Sequence, residues 1–247
     1  MKILILCFFV FESLFAIISV KPMEIGEQKG THGNIALSFE TKRGNTVRDN
    51  YKGALKVSYD TAENYLVWGE VTGDYGATAY VEDTNKVYAH IRYIHKVTPK
   101  DIRAEAFIQI EDDSFRLIKN RSLLGTGLRF KIFELFGRGK GYFGLGGFYE
   151  YLTYSADDPD ENNARINSYF SYTTKFSETS TFTYTFLIQP KVDDFSDYTD
   201  SHRVSLEIAI FKELYLNFQL NYENDTKPVP GVENYDFTQT TAFKYKF

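Results

Sequence analysis

The chain has 247 residues, a formal net charge of −5 and an aromatic content of 17%, made up of 19 Tyr, 22 Phe and one Trp. The mildly acidic balance offers no basic field for a nucleic-acid partner, and the length fits one all-β domain. So many amphipathic rings are typical of a β-barrel that places aromatic side chains at both faces of a membrane.

The first twenty residues are predicted to form a cleaved secretory signal peptide. Lys2 supplies a positive charge, Ile3–Phe11 forms an apolar stretch, and Leu14–Val20 forms a second apolar run. The chain then turns polar. We expect export through the Sec pathway and cleavage between Ala16 and Lys21.

Two residues of this segment bear on the alternatives. Glu12 interrupts the apolar stretch, which makes an uncleaved membrane-spanning anchor costly. Cys7 is the one cysteine of the chain, so a chain without this segment has no thiol for a disulfide or a metal ligand. Residues 21–32 are then expected to form a short periplasmic extension, and we predict no cofactor and no metal site.

From Gly33 onward, apolar and polar residues alternate with a period of two. In the first segment Ile35, Leu37 and Phe39 share one face, while Ser38 and Glu40 share the other. This alternation predicts half-buried β-strands. About twelve segments follow the pattern, and ten or fourteen strands are the alternatives. The predicted strands are residues 34–43, 50–60, 64–74, 85–95, 101–112, 121–134, 141–154, 163–176, 181–192, 201–212, 214–224 and 236–247.

The predicted strands are long and their connections alternate in length. Ten to fourteen residues is about the length that a tilted strand needs to cross a bilayer. Short connections such as 60–64 and 212–213 alternate with longer polar ones such as 74–84, 113–120 and 224–235. Short periplasmic turns and longer outer loops are the rule in outer-membrane barrels. We therefore predict a closed, antiparallel, up-and-down transmembrane barrel over residues 33–247, monomeric, with both ends in the periplasm.

Aromatic residues recur where the predicted strands meet the short turns. Rings at such positions indicate a girdle at the membrane interface, in contact with outer-membrane lipid and lipopolysaccharide. The predicted girdle consists of Tyr59, Tyr65, Tyr93, Phe133, Phe176, Phe182, Phe211 and Phe247.

The last strand carries a candidate assembly signal. Phe243, Tyr245 and Phe247 occupy every second position up to the final residue. An alternating apolar run that ends in Phe is similar to the signal read by the barrel assembly machinery of the outer membrane. We expect that machinery to be a partner during biogenesis.

Four stretches carry a resemblance to a known family. They are residues 33–38 with the tight 44–46 loop, 105–109 with the acidic pair that follows, 124–130, and 221–224 with the final strand. In these stretches the chain resembles the salt-stress-induced outer-membrane protein family, a domain of unknown function of Gram-negative bacteria. The resemblance implies an outer-membrane barrel, with no established activity and no functional residues to transfer.

If the apolar faces point to lipid, the polar faces line a lumen with charges of both signs. These charges are expected either to pair as a structural network or to form a charge-selective constriction. A slight excess of basic groups favours anionic solutes in the second case. The predicted lumen charge network consists of Glu40, Lys42, Lys52, Lys56, Glu70, His90, Arg92, Arg103, Glu105, Arg129, Glu150, Arg165, Arg203 and Glu207.

Three functions follow from this lumen. The leading one is a narrow channel for small solutes, and the alternative is a non-conducting barrel with an envelope-structural or stress-related role. A lipid hydrolase ranks third, since Ser201 and His202 are neighbours on one strand and must point to opposite faces. We predict no catalytic residues.

Overall fold

The strands that the alternation of apolar and polar side chains predicts pair with one another and close into a ring. The computed structural model describes residues 23–42, 47–98, 101–135, 138–155 and 159–247. In it, twelve antiparallel strands each pair with the next, and β12 pairs back with β1. The predicted closed all-β barrel of about twelve strands is therefore confirmed. The predicted signal peptide and the loop around Gly44 lie outside the described residues. No helix of the described ranges has the length and apolarity needed to cross a membrane.

The strands run up and down, so that one end of the barrel holds the short turns and the two ends of the described chain. The other end holds the longer loops. The bounds are β1 Gly30–Lys42, β2 Arg48–Asp60, β3 Tyr65–Thr78, β4 Val81–Lys96, β5 Ile102–Asp113, β6 Ile118–Leu135, β7 Gly139–Tyr154, β8 Glu161–Lys175, β9 Ser180–Pro190, β10 Tyr198–Phe211, β11 Leu214–Asp225 and β12 Tyr235–Lys246.

One predicted loop is a hairpin. Residues 74–84 are predicted as a long connection, one of a set rich in Asp, Asn, Gly and Pro, yet β3 extends to Thr78 and β4 begins at Val81. Ala79 and Tyr80 make the turn, with φ of 51° and 65°. Two successive residues with positive φ form the tight turn whose twist matches a hairpin. The sequence contains neither Asn-Gly nor Asp-Gly here, so the usual signal for such a turn is missing.

The connection between β5 and β6 is also shorter than expected. A 3-10 turn, Ser114–Arg116, is capped by the Asp113 side chain, which accepts hydrogen bonds from the backbone N–H groups of Phe115 and Arg116 at 3.2 Å each. Leu117 then adopts a left-handed conformation with φ of 60°. The chain thus reverses within four residues and β6 starts at once.

The outward face of the barrel is apolar. Large side chains such as Leu37, Leu124 and Ile210 stand exposed on successive strands, far more than a soluble surface tolerates. The eight residues of the predicted aromatic girdle lie on this face, next to the turn end. Neighbouring rings touch across strands, with centroids 5.6 Å apart for Tyr65 and Tyr93 and 5.8 Å apart for Phe176 and Phe182.

The seam that closes the ring joins the two ends of the described chain. Asn34–Leu37 pairs with Phe243–Lys246, and Gly33 and Phe247 exchange two backbone hydrogen bonds of 2.8 and 2.9 Å. The Phe247 ring covers Gly33 so closely that an added Cβ would lie 2.5 Å from it. Glycine is therefore required for this ring to lie against the strand.

Inside the barrel, two glycines make room for aromatic rings. A Cβ on Gly125 would lie 2.2 Å from the Phe107 ring, and one on Gly144 would lie 2.0 Å from the Tyr169 ring. Both rings are buried and lie flat against a neighbouring strand. The glycines thus set how far the rings reach across the lumen.

Replacing Gly144 by alanine is expected to destabilise the barrel by about 1–3 kcal/mol, the usual cost of overpacking a core. The Tyr169 ring is held by its neighbours and would have to move. Urea unfolding of the protein in detergent micelles measures the loss. A matched control is Gly73→Ala, because a Cβ at Gly73 meets no heavy atom within 4 Å. Equal stability of the two variants would contradict the prediction.

Candidate functional site

One half of the lumen is filled by large side chains. Strands β3 to β9 carry apolar residues at inward positions, where the alternation predicts polar ones. These apolar side chains are almost fully buried. The apolar cluster consists of Phe107, Leu123, Phe148, Tyr169 and Leu187, and Leu66, Trp68 and Ile94 form a second cluster beside it.

A buried carboxylate organises the charges beside these clusters. Glu105 lies 3.0 Å from Arg92 and 3.2 Å from Arg129, and it accepts a hydrogen bond of 2.8 Å from the Tyr169 hydroxyl. Arg92 also lies over the Phe107 ring, with its guanidinium carbon 5.0 Å from the ring centroid. One carboxylate is thus shared by two buried cations. In low dielectric, this arrangement holds three strands together only while all partners are present.

A second chain of ion pairs follows the inner wall nearer the loop end. Lys86 lies 2.9 Å from Glu111 and 3.0 Å from Asp113. Glu150 lies between two arginines, 2.6 Å from Arg121 and 2.9 Å from Arg165. Arg121 also lies 3.7 Å from Glu111, so the chain is continuous from β4 to β8.

The outer loops meet above these ion pairs. Arg165 reaches Asp197 at 2.9 Å, and Lys227 donates a hydrogen bond of 2.5 Å to Asp194. That bond holds the pKa of the Asp194 carboxyl well below its usual range. Thr226 donates to the backbone carbonyl of Ser196 at 2.9 Å. The loop between β9 and β10 and the loop between β11 and β12 therefore cover part of the outer mouth together.

The other half of the lumen is open. A cavity of about 200 Å³ lies along β8 to β12 and β1 to β3, in the half of the barrel nearest the short turns. Its wall is dominated by small polar side chains, which leave space where the opposite half is filled. The hydroxyl-bearing residues are Thr173, Thr181, Thr183, Thr185 and Ser205, and the charged ones are Lys56, Glu70, Arg203, Glu207 and Lys244.

The segment before β1 enters the barrel at the turn end. Met23 and Ile25 pack against the apolar cluster of Leu66, Trp68 and Ile94, and the Met23 carbonyl accepts a hydrogen bond of 2.9 Å from Arg129. We call residues 23–28 the N-terminal segment. Its contacts lie on β2 to β7, so it covers the filled half of the mouth.

Charges hold the N-terminal segment in place. Glu24 pairs with Lys131 at 3.4 Å and with Lys140, and the Asp60 carboxylate accepts hydrogen bonds from the backbone N–H groups of Gly26 and Gln28 at 2.8 and 3.3 Å. Partial burial opposes ionisation of Glu24, but the hydrogen bonds from Lys140 and Tyr142 prevail and lower its pKa to about 2. The segment is therefore anchored by a carboxylate that stays ionised in ordinary buffers.

The pKa of Glu24 predicts how the segment responds to acid. A carboxyl with a lowered pKa stabilises the docked state above its unfolded pKa of about 4.5 and loses that effect as the pH falls toward 2. A spin label on Gln28→Cys should therefore stay immobile from pH 7 to about 5 and gain mobility between about pH 4.5 and 2. With Glu24→Gln added, the label should be more mobile at pH 7 than in the parent, and the gain in mobility between about pH 4.5 and 2 should be smaller. A transition between pH 7 and 5 in the parent would contradict this.

The predicted lumen charges are distributed between these regions. Arg92, Glu105 and Arg129 share one cluster, Glu150 and Arg165 belong to the outer chain, and the side chain of Lys42 lies outside those described. The other eight form local contacts. These are Glu40 with Arg48 at 4.0 Å, Lys52 with Asp74 at 3.8 Å, Lys56 with Glu70 at 3.7 Å, His90 with Gln109 at 3.3 Å, Arg103 with the carbonyls of Thr98 and Ile102 at 3.0 and 3.1 Å, Arg203 with Asn221 at 3.0 Å, and Glu207 with Lys244 at 2.7 Å.

Sequence reasoning missed several lumen residues. Lys86, Glu111 and Lys244 share the polar faces of predicted strands, so the same alternation could have added them. Arg121 begins a predicted strand and pairs with Glu150, a partner that only the register reveals. The structure also places Trp68 inside, with the Lys56 ammonium 3.6 Å from its ring centroid.

The side chains considered for catalysis do not meet. Ser201 is buried inside the barrel, whereas His202 faces outward and lies 2.8 Å from the Tyr184 hydroxyl. Within the described ranges, His, Cys, Asp and Glu form no group of three or more that could hold a metal ion.

Fold and lumen define a class of protein, the closed twelve-stranded barrel of the kind found in outer membranes. Three solved structures show the same fold. A NanC porin gives a TM-score of 0.50 at 12% identity, covering 87% of this chain and 97% of the porin. The outer membrane channel from Pseudomonas putida F1 gives 0.57 at 12% identity, covering 92% and 99%. The translocator domain of the autotransporter NalP from Neisseria meningitidis gives 0.56 at 9% identity, covering 89% of each.

The chain belongs to the family of proteins of unknown function DUF481, whose profile matches residues 35–247. The structural similarities, all at 12% identity or less, establish the fold alone. A search of curated proteins finds no match. The resemblance inferred from the sequence is thus confirmed as far as a domain of unknown function with a barrel fold, and the link to salt stress stays a proposal.

Proposed function

We propose that the protein is an integral outer-membrane barrel that passes small solutes through a narrow, charged lumen. The observation that carries this is the asymmetry of the interior. The cavity of about 200 Å³ is lined by threonines, serine and charged side chains, while the other half is filled by large side chains. Small polar side chains on one wall leave a water-filled route along the lumen, which large packed side chains would close. Such a route is too narrow for a general porin.

The proposed location follows from the outward face. The exposed apolar strands and the girdle would contact outer-membrane lipid and lipopolysaccharide after Sec export and removal of the signal peptide. Phe243, Tyr245 and Phe247 would be read by the barrel assembly machinery. We propose a monomer, because the ring pairs all of its edges within one chain.

A second candidate is a non-conducting barrel with an envelope-structural or stress-related role. It is favoured by the contacts across the outer mouth, where the Glu150 ion pairs and the bond between Lys227 and Asp194 close part of the lumen. In this case the interior charges stabilise the barrel and serve no solute.

Planar-bilayer recording separates the two candidates. Protein beginning at residue 21 is refolded, checked for a heat-modifiable shift on gels, and added to a bilayer in potassium chloride. Small, uniform conductance steps are expected for a narrow channel. Their complete absence in folded protein would refute the channel and leave the structural role.

A further inference from the structure

The open half of the lumen has more positive than negative charge. The cavity is lined by three cations, Lys56, Arg203 and Lys244, against two carboxylates. Each carboxylate already has a cationic partner. Glu70 lies 3.7 Å from Lys56, and Glu207 is bonded by Lys244 at 2.7 Å and also by Lys246. Among the described residues, Arg203 is thus the cavity cation without a carboxylate within 4 Å, and the opposite charge that it interacts with is Glu223, one level closer to the loops.

The guanidinium of Arg203 is oriented but only partly used. Its Nε donates a hydrogen bond of 3.0 Å to the side-chain carbonyl of Asn221, which also accepts one of 3.1 Å from Gln219. Among the described residues, Arg203 makes no ion pair within 4 Å. Arg203 lines the cavity, and the bond at Nε leaves its two terminal nitrogens without a hydrogen-bond partner among the described residues.

The wall around Arg203 supplies hydroxyl groups. Thr173 and Thr183 lie 3.2 Å apart, and Ser205 donates to Asn217 at 3.0 Å. Such hydroxyls both donate and accept hydrogen bonds. A cavity of about 200 Å³ is smaller than the roughly 300–1,000 Å³ of sites that hold drug-sized ligands. Its occupant is therefore no larger than one sugar ring.

We infer that this cavity is a binding site for a small oxyanion, a carboxylate or phosphate borne on a hydroxylated body, with Arg203 as its specificity-determining residue. An arginine fork with two free nitrogens matches the two oxygens of such a group. The threonine wall would hold the hydroxyl groups. The next pair of inward residues on β10 and β11 toward the loop end is Ser201 and Glu223. The carboxylate of Glu223 ends the preference for anions there. The inference rests on the proposed channel for its role in transport, but the binding stands by itself.

The test is calorimetric binding of phosphate, acetate and glycolate to the folded barrel in detergent. Binding should be saturable, and glycolate should exceed acetate because it adds a hydroxyl. Arg203→Gln should weaken binding by about tenfold or more, as expected for a lost charge-assisted contact. The affinity of the Arg203→Lys variant should lie between those of the parent and of Arg203→Gln, since lysine keeps the charge and lacks the forked guanidinium.

The control is Arg138→Gln, which removes an exposed cation at the same end of the barrel, outside the cavity. It should leave binding unchanged. A heat-modifiable shift on gels confirms that each variant folds. No saturable binding of any of the three anions, or equal loss in the Arg203 and Arg138 variants, would overturn the proposal. Binding without conductance would refute the channel and keep the site, whereas conductance without binding would do the reverse.

Discussion

Replacing Glu105 by alanine is expected to destabilise the barrel by about 3–5 kcal/mol, because it leaves two buried cations without a counter-ion. Arg92 and Arg129 both lie within 3.2 Å of this carboxylate, and Tyr169 loses its hydrogen-bond acceptor. The loss should appear as a lower midpoint of urea unfolding in detergent or lipid vesicles.

Two comparisons make the Glu105 experiment specific. Glu134→Ala removes a carboxylate that pairs with Lys131 on the exposed turn side, and it should cost about 0–1 kcal/mol, as exposed ion pairs do. Glu105→Gln keeps the shape and one acceptor, so its effect should fall between the two. If Glu105→Ala unfolded at the same urea concentration as Glu134→Ala, the carboxylate would not be organising the interior.

Removing the N-terminal segment is expected to leave the conductance steps of the channel unchanged, because the segment covers the filled half and conduction depends on the open cross-section. Residues 23–28 contact β2 to β7, which is half of the ring, through Met23, Glu24 and the Asp60 carboxylate. A chain that starts at Lys29 should therefore show steps of the same size in the same bilayer and salt.

The point variant Glu24→Gln supports or refutes this reading. It breaks the contacts with Lys131 and Lys140 without shortening the chain, so the steps should stay uniform and of the same size. Lys227→Gln, which breaks only the outer loop contact with Asp194, serves as the control for a charge change far from the turn end. Larger steps in the shortened chain would mean that solutes also pass through the filled half.

The number of strands and the face to which their side chains point could be predicted from the sequence. In a barrel strand, apolar outward residues alternate with polar inward residues. Arg92 and Glu207 fall on the polar faces of predicted strands, and the structure puts both inside. The outer hairpin at Ala79 and Tyr80 was not predictable in this way. Its turn depends on two residues with positive φ, and neither residue type favours that conformation.

The arrangement of the interior depended on information that alternation does not contain. Glu105 and Tyr169 are 64 positions apart and meet at 2.8 Å, which requires the strand stagger of the closed ring. The filled half was hidden because Trp68 and Phe107 are apolar at inward positions, opposite to the expected pattern. The docking of Met23 and Glu24 was hidden because a segment outside the strands has no periodicity to interpret.

The seam between β1 and β12 affects how the barrel folds and where the folded barrel opens locally. Its ladder spans only Asn34–Leu37 and Phe243–Lys246, and the Ser38 hydroxyl reaches the Thr241 carbonyl across 203 positions of chain. Contacts of such sequence separation form late in folding, and until they form both edges can pair with a second chain. Hydrogen exchange in the folded barrel should therefore be fastest along this seam, where the ring opens at the lowest free energy.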